Sequence, residues 1–387
     1  MLKPWQKNMS EKIKVVHILP SLVRAGAERV ARDLLLSLDK EKFSVSLILF
    51  KDNGSGADWK QELEARGVKV IALKKRCLID VWNFWQLFQA AKRLRPDIVH
   101  THLGGDIYGR LAGRLAGVRI IVSTEHNLNL RERSSAAWLK KQTARFATKI
   151  FAVSQAVKAD AMKRYQLPRE KLEVVYNGVD LKTFKVTGAN SRNDVKNIER
   201  ELVIGSLGRL NEQKGFSVLI KAISQTQNKN YQVKIAGTGE LEADLKNLIT
   251  NLRLDSRVKL VGLAEPVSFI NSLDIVVVPS LWEGLGLVAL EAAALKKPII
   301  ASAVDGLQEI INQENGFLFP VDDATALAEK IDYVINNFSS SEINNKTAIA
   351  RKTIEDKFSL EVMTSSYSDW YERLLIIPDL EEKMRGK

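Results

Sequence analysis

Short apolar runs rich in Ile and Val recur along the chain, and most are followed by a stretch whose apolar residues repeat at helical spacing. The runs Ile13–Pro20, Val45–Phe50, Val68–Leu73, Ile98–His102, Ile120–Thr124, Ile150–Val153 and Leu172–Val175 read as strands. Between them, Ala27–Leu38, Trp59–Arg66, 81–95, 106–116 and 135–147 read as helices. Unbroken apolar strands separated by helices indicate a parallel sheet covered on both faces. The pattern stops at the polar stretch Thr187-Gly-Ala-Asn-Ser-Arg-Asn-Asp and resumes from Leu202 to about residue 338. A length of 387 residues also suits two cores better than one. The expectation is therefore an α/β protein of two doubly wound Rossmann-like domains. In such sheets ligands bind outside the carboxyl ends of the strands.

Two loops in the second half carry the chemistry. The apolar run Asp274-Ile-Val-Val-Val-Pro-Ser280 leads into Glu283-Gly-Leu-Gly-Leu-Val-Ala-Leu-Glu291 and then a helix-forming alanine run. Glu283 falls in the strand-to-helix loop and Glu291 about two turns into the helix. Gly286 lets the backbone approach a ligand, and the N–H groups at Leu287 and Val288 open a helix ready to receive an anion. The second loop, Gly208-Arg-Leu-Asn-Glu-Gln-Lys-Gly215, supplies Arg209 and Lys214, a planar fork and a point charge suited to phosphate oxygens. A third turn, Gly237-Thr-Gly239, lacks the full dinucleotide fingerprint and is weak alone.

These segments resemble those of glycosyltransferase family 4, nucleotide-sugar-dependent enzymes of the GT-B fold. The resemblance spans nearly the whole chain. It rests on Arg24-Ala-Gly-Ala-Glu-Arg-Val30, Asp97-Ile-Val-His-Thr-His102, Ser123-Thr-Glu-His126, Val175-Tyr-Asn-Gly-Val-Asp180, the Gly208–Gly215 loop and the Glu283/Glu291 pair, in the family's order. One departure is Ala25-Gly26 where the family usually has two glycines, so close backbone approach there rests on Gly26 alone.

The resemblance implies two domains facing a cleft. An acceptor-binding domain is expected at 11–186, a linker at 187–200 and a donor-binding domain at 201–358, with a last helix at about 359–387 crossing back onto the first domain. It also implies transfer with retention of configuration, and a place for His126 against the transferred sugar. Gly26, Arg209, Lys214, Gly286, Leu287, Val288 and Glu291 are expected to bind the donor, with Glu291 on the ribose. Glu283 is expected beside the reacting sugar as a catalytic group, together with His126. His17, His100 and His102 have weaker claims, and His100 reads as a packing residue. No Asp-x-Asp tripeptide occurs, so the leaving diphosphate is expected to be neutralised by protein cations, with no metal and no cofactor.

The net charge of +12 is uneven: residues 1–185 carry +17 and the remainder −5. A basic first half points to an anionic partner, such as a membrane surface or a lipid-linked or phosphorylated glycan acceptor. The cluster Lys74-Lys75-Arg76 and Trp82 are the candidate membrane contacts. On the 81–95 helix, Val81, Phe84, Trp85, Leu87, Phe88, Ala91 and Leu94 form an apolar stripe expected to face the sheet, with Trp82 outside it. The cations between Arg131 and Lys149 are expected to border the acceptor entrance. No apolar run reaches the length of a membrane span, and the N-terminus has no secretory h-region. With a single cysteine, Cys77, the expected compartment is the cytoplasm, peripheral to the inner face of the membrane. Met9 is as good a start as Met1, and residues 1–10 read as a tail. Competing readings are a GT-B nucleotide-sugar epimerase, a nucleotide-sugar-binding module without turnover, and a non-enzymatic protein binding anionic surfaces or nucleic acid. No standard nucleic-acid motif is present, so no nucleic-acid partner is expected.

Overall fold

The computed structural model describes residues 11–52, 54, 56–73, 80–130, 132–186 and 201–385. Two compact units emerge: Met1–Gly178 with Leu360–Lys387, and Val179–Ser359.

In the first unit, β1 (Ile13–Leu19), β2 (Phe43–Leu49), β3 (Lys69–Ala72), β4 (Ile98–His102), β5 (Ile120–Glu125), β6 (Lys149–Ala152) and β7 (Leu172–Val174) form one sheet. Its order is β3-β2-β1-β4-β5-β6-β7, and every neighbouring pair is parallel. The connecting helices are α1 (Gly26–Ser37), α2 (Ala57–Ala65), α3 (Val81–Leu94), α4 (Asp106–Leu115), α5 (Ser134–Ala144) and α6 (Gln155–Tyr165). Strand alternation sorts the side chains onto two faces. Val16 and Ile18 pack with Leu87 and Ala90 of α3 and Ala112 of α4. Leu19 and Leu47 pack with Ala31 and Leu35 of α1 and Leu63 of α2. The sequence reading contains no helix at α6, whose polar surface hides its period. Ser154 starts it by accepting from the Val157 N–H at 3.0 Å, and Gln166 ends it at φ +51°.

The second unit holds β8 (Leu202–Leu207), β9 (Tyr231–Ala236), β10 (Val258–Leu260), β11 (Ile275–Val278), β12 (Ile299–Ser302) and β13 (Phe317–Phe319), in the order β10-β9-β8-β11-β12-β13 and again parallel. Around it lie α7 (Phe216–Gln225), α8 (Glu242–Asn251), α9 (Pro266–Asn271), α10 (Leu287–Ala294), α11 (Asp305–Gln308), α12 (Ala324–Asn336) and α13 (Ser341–Lys357). Its core joins the sheet to α7 and α12 through Ile204, Ile220, Ile235, Val277 and Ile331.

The last helix, α14 (Leu360–Arg385), belongs to the first unit and packs on α1. Tyr367 and Tyr371 are its buried anchors, the latter edge-on to Phe43 of β2 with centroids 5.9 Å apart. Residues 179–186 differ from expectation by joining the second unit. There the Val179 N–H donates to the Phe358 carbonyl at 2.9 Å, and Arg351 donates to the Phe184 carbonyl at 3.3 Å. The linker expected at 187–200 lies outside the described residues.

Both sheets reverse direction beside a central strand, β1 between β2 and β4, and β8 between β9 and β11. The loops leaving those strands therefore flank a crevice in each unit, the usual ligand position in open α/β sheets. Glycines let these loops close up in the second unit. Gly215 has φ +62°, and a Cβ there would lie 1.9 Å from the Pro279 carbonyl oxygen; at Gly237, φ +140°, it would lie 1.8 Å from that of Gly208. Gly215→Ala is expected to destabilise the protein by at least about 1–2 kcal/mol from backbone conformation alone. A urea titration with an unchanged midpoint would contradict this packing.

Candidate functional site

In the second unit the two loops singled out from sequence are joined. The Leu281 N–H donates to the Gln213 carbonyl at 2.8 Å, and Gln213 Nε2 donates to the Trp282 carbonyl at 3.2 Å. Lys214 Nζ lies 2.5 Å from Glu283 Oε1, and Ser280 Oγ donates to the same oxygen at 2.8 Å. Gly208 makes room for this pair, because a Cβ there would sit 3.3 Å from the Lys214 chain. Arg209 extends from the same loop and is exposed. Opposite it, Gly286 at φ +93° starts α10 with no side-chain cap, so the first-turn amides at Leu287 and Val288 face outward from a helix N-terminus. Glu291 is buried one turn beyond. A cationic pair and a helix N-terminus on adjacent loops can hold a diphosphate, while two carboxylates can accept from hydroxyls. Sequence reasoning missed Gln213 and Ser280, whose work is to fasten one loop to the other. A polar side chain within a glycine loop gives no signal of that contact.

The first unit supplies a second set of groups. Gly26 opens α1, whose N-cap Ala25 gives no side-chain cap; the first turn also carries Glu28, a negative charge at that end. The four histidines of the chain lie together near the β1/β4 reversal. His17 pairs with His100 across β1 and β4, and spacing of two puts His102 on the same face. His17 Nδ1 is 3.0 Å from His102 Nε2, and His102 Nδ1 is 3.1 Å from His126 Nε2. Tyr371 Oη of α14 lies 2.6 Å from His100 Nδ1 and 3.4 Å from His17 Nε2. His100 Nε2 reaches Thr124 Oγ1 at 2.7 Å, and Thr124 Oγ1 is 3.0 Å from Tyr367 Oη. Burial lowers the pKa of His17 to about 3 and of His126 to about 4, the latter despite the raising effect of Glu125. His100 and His102 are held well below the usual range, by burial first and then by the neighbouring rings. All four are therefore neutral near pH 7.

Comparison with known proteins finds matches that together run through both units. A family model for "Glycosyltransferase Family 4" matches residues 24–183, and one for "Glycosyl transferases group 1" matches residues 189–351. The chain is a GT-B glycosyltransferase related to family 4. It is 29% identical over 362 residues to the Escherichia coli UDP-Gal:alpha-D-GlcNAc-diphosphoundecaprenol alpha-1,3-galactosyltransferase, covering 88% of this chain and 93% of that one. The Staphylococcus aureus capsular polysaccharide biosynthesis glycosyltransferase CapM is 29% identical over 249 residues, 62% of this chain and 65% of that one. Among solved structures, Anabaena HepE in complex with UDP-glucose superposes with a TM-score of 0.82 at 22% identity, covering 93% of this chain and all (100%) of that one.

Two expectations about the first unit of this glycosyltransferase need correction. Val81 and Trp85 do not face the sheet: they are 75% and 47% exposed, and Trp85 stacks on Trp82, itself 50% exposed, with centroids 4.9 Å apart. The buried face of α3 is instead Asn83, Leu87, Ala90 and Ala91, because Asn83 is drawn in. Its Nδ2 donates to the Phe50 carbonyl at 3.1 Å, while its N–H is capped by Asp80. Hydropathy alone places an asparagine outward. Lys74, Lys75 and Arg76 lie outside the described residues, as does Arg131.

The second correction concerns Lys140, which is buried and not part of an open basic border. It lies 3.1 Å from Glu132 and 3.4 Å from Glu125. β5 explains this: Thr124 faces the histidines, while Ser123 and Glu125 face α4 and α5. Arg110, also buried, donates from Nε to Ser123 Oγ at 2.7 Å and lies 3.7 Å from Glu125. Burial raises Lys140's cost of charge, but Glu125, Asp106, Tyr165 and Glu132 hold its pKa well above the usual value. For Asp106 burial wins over Arg110 and raises its pKa to about 7. Lys140→Met leaves the buried Glu125 and the partly buried Glu132 short of a counter-charge and is expected to cost about 3–5 kcal/mol. Lys141→Met, on the same helix but less buried, is the control; equal unfolding midpoints for the two variants would contradict the buried network.

Proposed function

We propose that this glycosyltransferase moves a hexose from a nucleoside-diphosphate sugar to a lipid-linked glycan acceptor, with retention of configuration and without a metal ion. The observation that carries the donor half is the loop pair of the second unit, where Lys214 and Glu283 are locked together beside Arg209 and the uncapped start of α10. Arg209, Lys214 and the amides of Leu287 and Val288 neutralise the leaving diphosphate as its bond to the sugar breaks. Glu291 accepts from the ribose, and Glu283 lies beside the anomeric carbon where positive charge develops. Gly26 lets the diphosphate approach α1, and His126 contacts the transferred sugar. Uridine is the first base to test, because the Escherichia coli relative is named for UDP-galactose and the Anabaena structure holds UDP-glucose.

Thermal shift with UDP, GDP and ADP, against a single-stranded DNA control, tests this reading. Stabilisation by one nucleotide and none by DNA supports it; stabilisation by DNA alone would replace it with nucleic-acid binding. Arg209→Ala and Lys214→Ala should each lower turnover at least tenfold, since contacts to charged groups are worth about 1.5–3 kcal/mol. Turnover should persist in excess EDTA. Normal rates in both variants, or loss in EDTA restored by magnesium, would overturn the electrostatic account. Glu291→Gln should chiefly raise the donor KM and Glu283→Gln chiefly lower kcat; the opposite split would exchange their roles.

The acceptor half rests on the first unit. Among the described residues no helix is long and apolar enough to cross a membrane. Exposed apolar side chains nevertheless gather on α3, α4 and α5: Val81, Trp82, Trp85, Leu115, Trp138 and Leu139. Val81, Phe84, Trp85, Phe88 and Leu115 line a groove at the α3–α4 contact. Tryptophans in a unit of excess positive charge suit the headgroup region of an anionic bilayer, where each basic residue adds about 1 kcal/mol. The protein should therefore sediment with vesicles containing anionic lipid. It should release them at about 0.5 M salt, where screening is far shorter than the physiological Debye length of about 8 Å. Replacing Trp82 and Trp85 by serine should weaken vesicle binding and leave nucleotide affinity unchanged. Equal partitioning onto neutral vesicles, or none onto either, would favour a soluble acceptor.

A further inference from the structure

The histidine cluster has one proton per ring to distribute, and the contacts together with the chain's unpaired end decide where each goes. A neutral imidazole donates from one nitrogen and accepts at the other. Tyr371 has a single O–H, and its 2.6 Å contact with His100 Nδ1 is much shorter than its 3.4 Å contact with His17 Nε2. The arrangement that leaves no buried N–H orphaned has the hydroxyl donating to His100, whose proton sits on Nε2 and goes to Thr124. His17 must then carry its proton on Nε2, donating weakly to Tyr371, and its Nδ1 accepts from His102 Nε2. His102 Nδ1 in turn accepts from His126 Nε2. The chain of protons ends at His126 Nδ1, a buried nitrogen with no hydrogen-bond partner among the described residues. An orphaned acceptor is the cheaper end for such a chain, since buried N–H groups are almost never left unpaired.

We propose that His17, His102 and Tyr371 are positioning residues, a buried relay that holds His126 in its Nε2–H form. The bare Nδ1 then accepts a hydroxyl of the transferred sugar and so selects donors that carry that hydroxyl. This rests on the reading of His126 as a sugar contact. The alternative occupant is a metal ion, because His17, His100 and His102 bring ring nitrogens within 4.8 Å of one another. The geometry disfavours it: every ring nitrogen of these three residues already faces another ring, Tyr371 or Thr124. The low pKa values of all four rings agree with neutral, hydrogen-bonded imidazoles.

The test uses the full-length protein labelled with nitrogen-15 at histidine, where four rings give a resolvable set of long-range proton–nitrogen correlations. At pH 7 and without ligand, all four rings should be neutral Nε2–H tautomers. His17→Leu removes the acceptor for His102 and should move the His126 proton to Nδ1. His17→Asn, which keeps an oxygen near the Nδ1 position, should leave His126 as in the wild type. Affinity for UDP-galactose relative to UDP should fall about tenfold in His17→Leu, the loss of one hydrogen bond, and stay unchanged in His17→Asn. Mixed tautomers in the wild type would overturn the relay, as would a His126 signal indifferent to His17→Leu. So would stoichiometric zinc uptake by the dialysed protein with shifts at His17, His100 and His102. His126→Ala separates the two claims: unchanged UDP-galactose affinity there refutes the sugar contact, whereas a loss there with none in His17→Leu refutes only the relay.

Discussion

In a parallel sheet every connection must return to the starting end, so all strand exits collect at the carboxyl end of the sheet, where the loops leaving adjacent strands become neighbours. Both units of this chain are built on that constraint. In the second unit it brings the loop after β8 against the loop after β11, two segments nearly seventy residues apart (|i−j| = 69 for Lys214 and Glu283). Glycines at 208, 215 and 237 permit the approach by leaving no Cβ where a neighbouring carbonyl or the Lys214 chain must lie. The electrostatics follow from the packing: a fixed cation, a fixed carboxylate and an uncapped helix start share the carboxyl end of the sheet.

In the first unit the same constraint acts through the alternation of β5. Ser123 and Glu125 turn to α4 and α5 and join a buried charged network with Arg110 and Lys140. Thr124 turns to the other face and meets the histidines and the two tyrosines of α14. Tyr371 also binds the last helix of the chain to its first strand, since it touches both His17 and His100. A helix separated from β1 by more than three hundred residues (|i−j| = 354) is thereby part of the surroundings of His126.

The fold, and the two glycine-bearing loops that the second unit brings together, were legible in the sequence because their signals are local. Apolar runs, glycine turns and the Glu283/Glu291 spacing each fit within a dozen residues. What was not legible depends on long-range burial. Lys140 looks like a surface cation until Glu125 and Glu132 are seen beside it. The sheet-facing side of α3 turns on Asn83, which hydropathy places outside. The histidine cluster is an intermediate case: the spacing of His100 and His102 puts them on one face, but pairing with His17 requires the β1–β4 register, which no local pattern gives.

The central claim is that a nucleoside diphosphate is held at the carboxyl ends of β8 and β11 in the second unit. Amide hydrogen exchange with and without UDP, GDP or ADP tests it most directly. The account predicts that one nucleotide protects amides in Gly208–Gly215 and in Glu283–Val288, and leaves β10 and α8 unchanged. Protection absent from both loops, at saturating nucleotide, would contradict it.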